Sequence, residues 1–234
     1  MLRQRFNIVM AIAGIMLSLA SCSGCYKIDG VIETFGYEGR VMYLTEFLPS
    51  RTTKFDSCRV NHGKFQMRGV TDTTRLVFLC QGDRPIIPVY MEKGHTNITI
   101  LPAEMTVSGT RQNDLFYTFL KKKIDIDNRY EDMSQKRVSI SRSGFDSRRI
   151  ELIQDTLRMI VDECEEMICS FMADNYKEPA AVGVFMMLSG ASSNNDVTPL
   201  LRRILDAAPK EFLDKPFIKY YTHRINYARV DSID

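Results

Sequence analysis

At Thr110 the hydrophobic pattern of this chain changes its period, from alternation about every two residues to recurrence about every 3.6. One backbone geometry cannot serve both halves, because a strand turns successive side chains to opposite faces whereas a helix brings residues three and four apart onto one side. Upstream, β-rich runs are separated by turn residues: Tyr26 to Glu33, Arg40 to Phe47, Thr53 to Val60, Lys64 to Arg68, Arg75 to Gln81, Ile87 to Glu92, Thr96 to Ile100 and Met105 to Val107. Asn61-His62-Gly63 and Lys93-Gly94-His95 read as tight turns, since Asn and Gly tolerate positive φ. So many short strands predict a β-sandwich or small barrel, and the sandwich is the expectation carried forward.

Downstream, Leu115, Phe116, Phe119 and Leu120 fall at helical spacing between Gln112 and Lys123, and the charged, Ser-rich stretch from Asp125 to Gly144 reads as an exposed connection. Ile150, Ile153, Leu157, Ile160, Cys164, Met167 and Phe171 then step by three and four, forming one apolar stripe on a helix of about 28 residues. Such a stripe suits an intramolecular hairpin or a coiled-coil dimer. The amphipathic segments that follow favour packing within the chain, against those later helices. Pro179, Thr198-Pro199 and Lys215-Pro216 each mark a helix start. The fold class is therefore α+β, an N-terminal antiparallel β-sandwich followed by a C-terminal helical region, divided as 1–21, 22–110 and 111–234.

Ahead of both lies a processing signal. Arg3 and Arg5 precede an uncharged apolar run from Ile8 to Ala20, shorter than the roughly 20 residues of a spanning helix. Leu19-Ala20-Ser21-Cys22 then resembles the bacterial lipobox. The expectation is a signal peptide over 1–21, diacylglycerol on the Cys22 thiol, and a cell-envelope protein anchored to a membrane by lipid. Ser23 is not acidic, which directs the expectation to the outer membrane.

Lys and Arg total 31 and Asp and Glu 29, a net charge of +2. Cleavage after Ser21 removes both N-terminal arginines and no acid, so the mature chain is neutral and has no overall field for gripping nucleic acid. Of the six cysteines, lipidation of Cys22 leaves an odd number, which excludes a complete disulfide framework within one chain. Cys22-Ser23-Gly24-Cys25 has C-x-x-C spacing, but in a processing site and not at the start of a helix. Cys58, Cys80, Cys164 and Cys169 occupy apolar runs and read as small hydrophobes.

Motifs for catalysis or cofactors are missing from the sequence. It contains neither a glycine-rich nucleotide loop nor a G-x-S-x-G elbow. His62, His95 and His223 are far apart and read as turn or surface residues. Asp125-Ile126-Asp127-Asn128 opens like a calcium loop, yet Arg129 and Tyr130 follow where a ligand and a glycine are needed. Lys121-Lys122-Lys123 reads as a solvated helix end, and Phe217, Tyr220, Tyr221 and Tyr227, interleaved with Lys219, Arg224 and Arg229, as a packed helix face. No catalytic residue, metal or cofactor is expected.

Several of these residues carry a family resemblance. Tyr26-x-Ile28-x-Gly30, Val41-x-Tyr43-Leu44, Asp56-Ser57-x-x-Val60-x-x-Gly63-Lys64-Phe65, Val89-x-x-Glu92-x-Gly94 and Val107-Ser108-Gly109-Thr110-x-x-Asn113 resemble the DUF4369 domain of Bacteroidetes lipoproteins. The later helices, with Glu178-Pro179 at their middle, resemble the linker that precedes a thioredoxin-like domain in longer thiol:disulfide interchange relatives. This sequence has no Trp and no Trp-Cys-x-x-Cys, so the resemblance carries no catalytic activity over. It implies a non-catalytic envelope lipoprotein that binds a protein or glycan partner, with an accessory role beside a thioredoxin-like system as the alternative.

Overall fold

A computed structural model describes residues 24–48, 51–143, 146–190 and 197–230. The expected signal segment 1–21 and Cys22 lie outside the described residues. The chain divides between Thr110 and Arg111 into two compact units, the first of strands and the second of helices.

Eight strands build the first unit: β1 Cys25–Ile32, β2 Val41–Leu48, β3 Arg51–Arg59, β4 Lys64–Val70, β5 Arg75–Gln81, β6 Arg84–Met91, β7 Gly94–Ile100 and β8 Met105–Ser108. They form two four-stranded sheets, ordered β4-β1-β7-β8 and β3-β2-β5-β6. All neighbours run antiparallel except β1 and β7, which pair in parallel from Tyr26 opposite Gly94 to Ile32 opposite Ile100. Alternation in β1 buries Tyr26, Ile28, Gly30 and Ile32 and turns Lys27, Asp29 and Val31 outward. Bulges interrupt it where Leu44 meets Thr45 and Leu79 meets Cys80, so that both members of each pair are buried.

Two glycines are occupied by aromatic rings. Gly30 stands opposite Phe65 and Gly69 opposite Tyr26. A methyl group on Gly30 would lie 2.0 Å from the Phe65 ring, and one on Gly69 2.6 Å from the Tyr26 hydroxyl. The Tyr26 hydroxyl donates to Asp56 Oδ2 at 2.7 Å, joining the β1 sheet to the β3 sheet. Burial, reinforced by that bond, pushes the phenol well above its ordinary pKa. At the β3–β4 turn His62 and Gly63 take φ of 50° and 68°, as a type I′ hairpin requires. Glu38 accepts from both their amides, at 3.1 and 3.2 Å, which holds its carboxyl below the ordinary range.

The second unit contains α1 Arg111–Ser143, α2 Ser147–Asn175, α3 Pro179–Gly190, α4 Pro199–Ala207, α5 Lys210–Leu213 and α6 Pro216–Val230. Two expectations are corrected here. The stretch after Asp125 is not a connection but the second half of α1, with Ile126, Met133 and Ile140 repeating every seven residues and surface pairs such as Lys123–Asp127 supporting the turns. Lys121 to Lys123 therefore lie inside a helix and not at its end. The Ile150-to-Phe171 stripe of α2, moreover, faces α1 instead of the later helices. Phe119 stacks near Phe171, with centroids 4.6 Å apart, and Arg129 forms a two-pronged bond to Glu163 at 2.7 and 2.8 Å, so the two helices form an antiparallel hairpin.

The later helices gather at the base of this hairpin. Helix α3 is apolar almost all round and buries Ala180, Ala181, Val184 and Phe185. Phe185 meets Phe212 and Tyr221 edge-on, and the Tyr176 hydroxyl donates to the Ile204 carbonyl at 2.9 Å. Tyr221 of the expected aromatic face is thus core, whereas Tyr220 is exposed. A polar clamp ties the starts of α1 and α3 together. Glu178 accepts from Arg111 and Gln112, each at 2.6 Å, while the Gln112 carbonyl accepts from the Ala180 amide at 3.0 Å.

Candidate functional site

The outward side chains of β4, β1 and β7 form a polar lattice. Register places Gln66, Asp29 and Asn97 in one row across the three strands, Arg68, Lys27 and His95 in the next, and Lys64, Val31 and Thr99 in the third. The cause is local: each strand alternates, and its inner positions are filled by Ile28, Phe65, Met67 and Ile98, which leaves the polar members facing water.

Asp29 sits at the centre. Its carboxylate accepts from Lys27 and from Gln66, and His95 Nε2 lies 2.6 Å from Oδ2. Lys27 above all, then Gln66 and His95, pull its pKa from the ordinary carboxylate value down to about 2. Asp29 is consequently an anion at neutral pH whose oxygens fix the donors around it. A shallow depression beside it is bordered by Arg59, Asn61, Lys64, Gln66, Asn97 and Thr99. Lys27, Lys64, Arg68 and Arg59 outnumber the carboxylates of Asp29 and of Glu38 at the adjoining turn, a local positive excess on a nearly neutral chain. Such an array offers charged and amide donors to hydroxyls, carboxylates or backbone carbonyls.

His95 was expected in a turn. It instead occupies β7 and joins Asp29, because β7 begins at Gly94. His62 is exposed in the β3–β4 turn and His223 is exposed on α6, so the structure places the three histidines on three separate elements. Among the described residues no group of three or more His, Cys, Asp or Glu side chains is arranged to hold a metal ion. Burial pushes the Cys58 thiol up to about 11, and raises those of Cys80, Cys164 and Cys169 as well, away from the thiolate form. Among the described residues no helix is long and apolar enough to cross a membrane.

Asp29 and Gln66, like Lys27, Arg68 and Asn97 beside them, are site residues that the sequence did not single out. Their outward positions follow from the strand pattern, but the signal that joins them is the order β4-β1-β7, which no local spacing reveals.

Residues 26–116 match the family described as Domain of unknown function (DUF4369). The match spans the strands from β1 onward and the first turns of α1. No curated protein and no solved structure matches the chain.

Proposed function

We propose that this chain is a non-catalytic cell-envelope lipoprotein of Bacteroidetes type, cleaved after residue 21, lipidated on Cys22 and held at the outer membrane, whose DUF4369 domain binds a protein or glycan partner through the face centred on Asp29. The observation that carries this reading is the three-strand lattice itself. A carboxylate accepting from three neighbours fixes side chains that would otherwise be mobile, and preorganised donors on a rigid sheet reduce the entropy lost on binding. The raised thiol pKa values favour binding over thiol-disulfide exchange.

The test is crosslinking capture from native envelope with the intact chain, followed by mass spectrometry and by screening of envelope glycans. Replacing Lys27, His95 and Asn97 together by Ala is expected to remove the specific partner, and replacing Cys58, Cys80, Cys164 and Cys169 is expected to leave it. An identical catch from the face variant would overturn the assignment of the face. Fatty-acid labelling abolished by Cys22→Ala tests the anchor. The mass of the mature N-terminal peptide gives a second check on the lipid expected at Cys22.

A further inference from the structure

The far half of the α1–α2 hairpin has only half a seam. Helix α2 supplies two apolar residues per heptad, Ile150 and Ile153 followed by Leu157 and Ile160, whereas α1 supplies one, Ile126, Met133 and Ile140. Where α1 would need its second apolar residue it places Arg129 and Lys136, and grooves open beside them, lined by Met133, Ile140, Leu152 and Ile153 at one level and by Met133, Met159 and Ile160 at the next. Leu152 is 60% exposed and Met159 70%. Among the described residues, hydrogen bonds join the later helices to the other end of α2, from Arg203 to Glu166 and from Tyr176 to the Ile204 carbonyl.

Charge is divided along the same hairpin. The tip, residues 133–143 with 146–154, carries five basic and two acidic side chains, and the neck, 124–132 with 155–166, carries nine acidic and two basic. On α1 the neck and tip segments are each about 15 Å long at 1.5 Å per residue.

We propose that this groove is the contact with a second copy of the chain, in which the hairpins overlap antiparallel so that the basic tip of each lies on the acidic neck of the other. A two-fold axis near Met133 and Met159 makes both tip-on-neck contacts at once, brings Leu152 and Met159 of each copy under cover, and completes a four-helix arrangement from two half-seams. A parallel overlap would set acidic neck on acidic neck. This inference rests on the second unit alone and is independent of the binding role assigned to the sheet face.

Sedimentation velocity of the intact chain in detergent, with the detergent contribution matched out, is expected to show a dimer that weakens as salt rises. A tip-reversed variant, Lys136→Glu with Arg149→Glu, and a neck-reversed variant, Asp132→Lys with Asp162→Lys, are each expected to self-associate about tenfold more weakly or less. Mixed in equal amounts they should recover the dimer, because each tip again meets a neck of opposite sign. Helical circular dichroism of both variants guards against misfolding. A monomeric wild-type chain, or variants that stay apart when mixed while retaining wild-type helicity, would overturn the proposal, and a dimer unmoved by either reversal would place the contact elsewhere.

Discussion

The interior of the sandwich and the far half of the helical hairpin draw on similar apolar residues, yet one is closed so tightly that a methyl group on Gly30 has no room, while the other leaves Met159 70% exposed. Geometry accounts for the contrast. A two-sheet sandwich receives inward side chains from both layers at every second residue, and the rings of Phe65 and Tyr26 fill the gaps above glycines. Two helices meeting along one line cover only what each presents there, and α1 presents half of what α2 does. Of these two regions, tight packing belongs to the sandwich interior and uncovered apolar surface to the far half of the hairpin.

The largest effect that can test this division comes from adjacent residues of α2. Ile160→Asp places an unpaired charge on the covered side, where Ile160 is 5% exposed, and should lower unfolding free energy by about 4 kcal/mol. Met159→Asp, one residue on, should change it by less than about 0.5 kcal/mol in dilute solution. Equal losses in a denaturant titration would erase the distinction between the faces.

Next in size are the glycines. Gly30→Ala forces the Phe65 ring from its place and is expected to destabilise by about 3 kcal/mol, partly recovered when Phe65→Leu accompanies it. In the helical unit Gly190→Ala meets nothing within 4 Å, and its melting temperature should stay close to wild type or rise slightly. A tolerated Gly30→Ala would show that the sandwich interior is as loose as the hairpin.

Removing the bond between the two sheets is a smaller perturbation. Tyr26→Phe keeps the ring over Gly69 but removes the hydroxyl donor to Asp56 Oδ2, with an expected loss of about 1 kcal/mol by chemical denaturation. No measurable loss would mean that water replaces the hydroxyl.

The smallest effect is a pH dependence. Asp29 has a folded pKa of about 2, below its unfolded value, so its contribution is complete above about pH 4 and fades as pH falls toward 2. Because the carboxylate is about one-third exposed, the difference should be about 1 kcal/mol or less. In Asp29→Asn that part of the acid slope should vanish. An unchanged slope would assign it to other carboxylates.

Much of the architecture was legible because it depends on short-range pattern. Alternation located all eight strands and the prolines marked three helix starts. The second half of α1 was not legible, since its single apolar residue per heptad is too sparse to stand out among Asp, Arg and Ser, and only a facing helix makes Ile126, Met133 and Ile140 a stripe. The Asp29 lattice was hidden for a related reason. Lys27 and Asp29 can be read as outward neighbours, but His95 joins them through a parallel pairing between the first strand and the seventh, which depends on closing a long stretch of chain. Gln112 and Glu178 likewise meet only once three helices are in place.

The same parallel pairing has a kinetic meaning. Strand β1 is the earliest strand of its domain and lies inside its sheet, between β4 and β7. A chain emerging from its N-terminus first can pair one edge of β1 once residues 64–70 have followed β2 and β3, but the other edge stays unpaired until residues 94–100 arrive. Contacts so distant along the chain slow folding in proportion to their reach. Completion of the first strand is thus among the last events in assembly of the domain, and a nascent chain cut short before Gly94 would expose that edge to any partner able to add a strand.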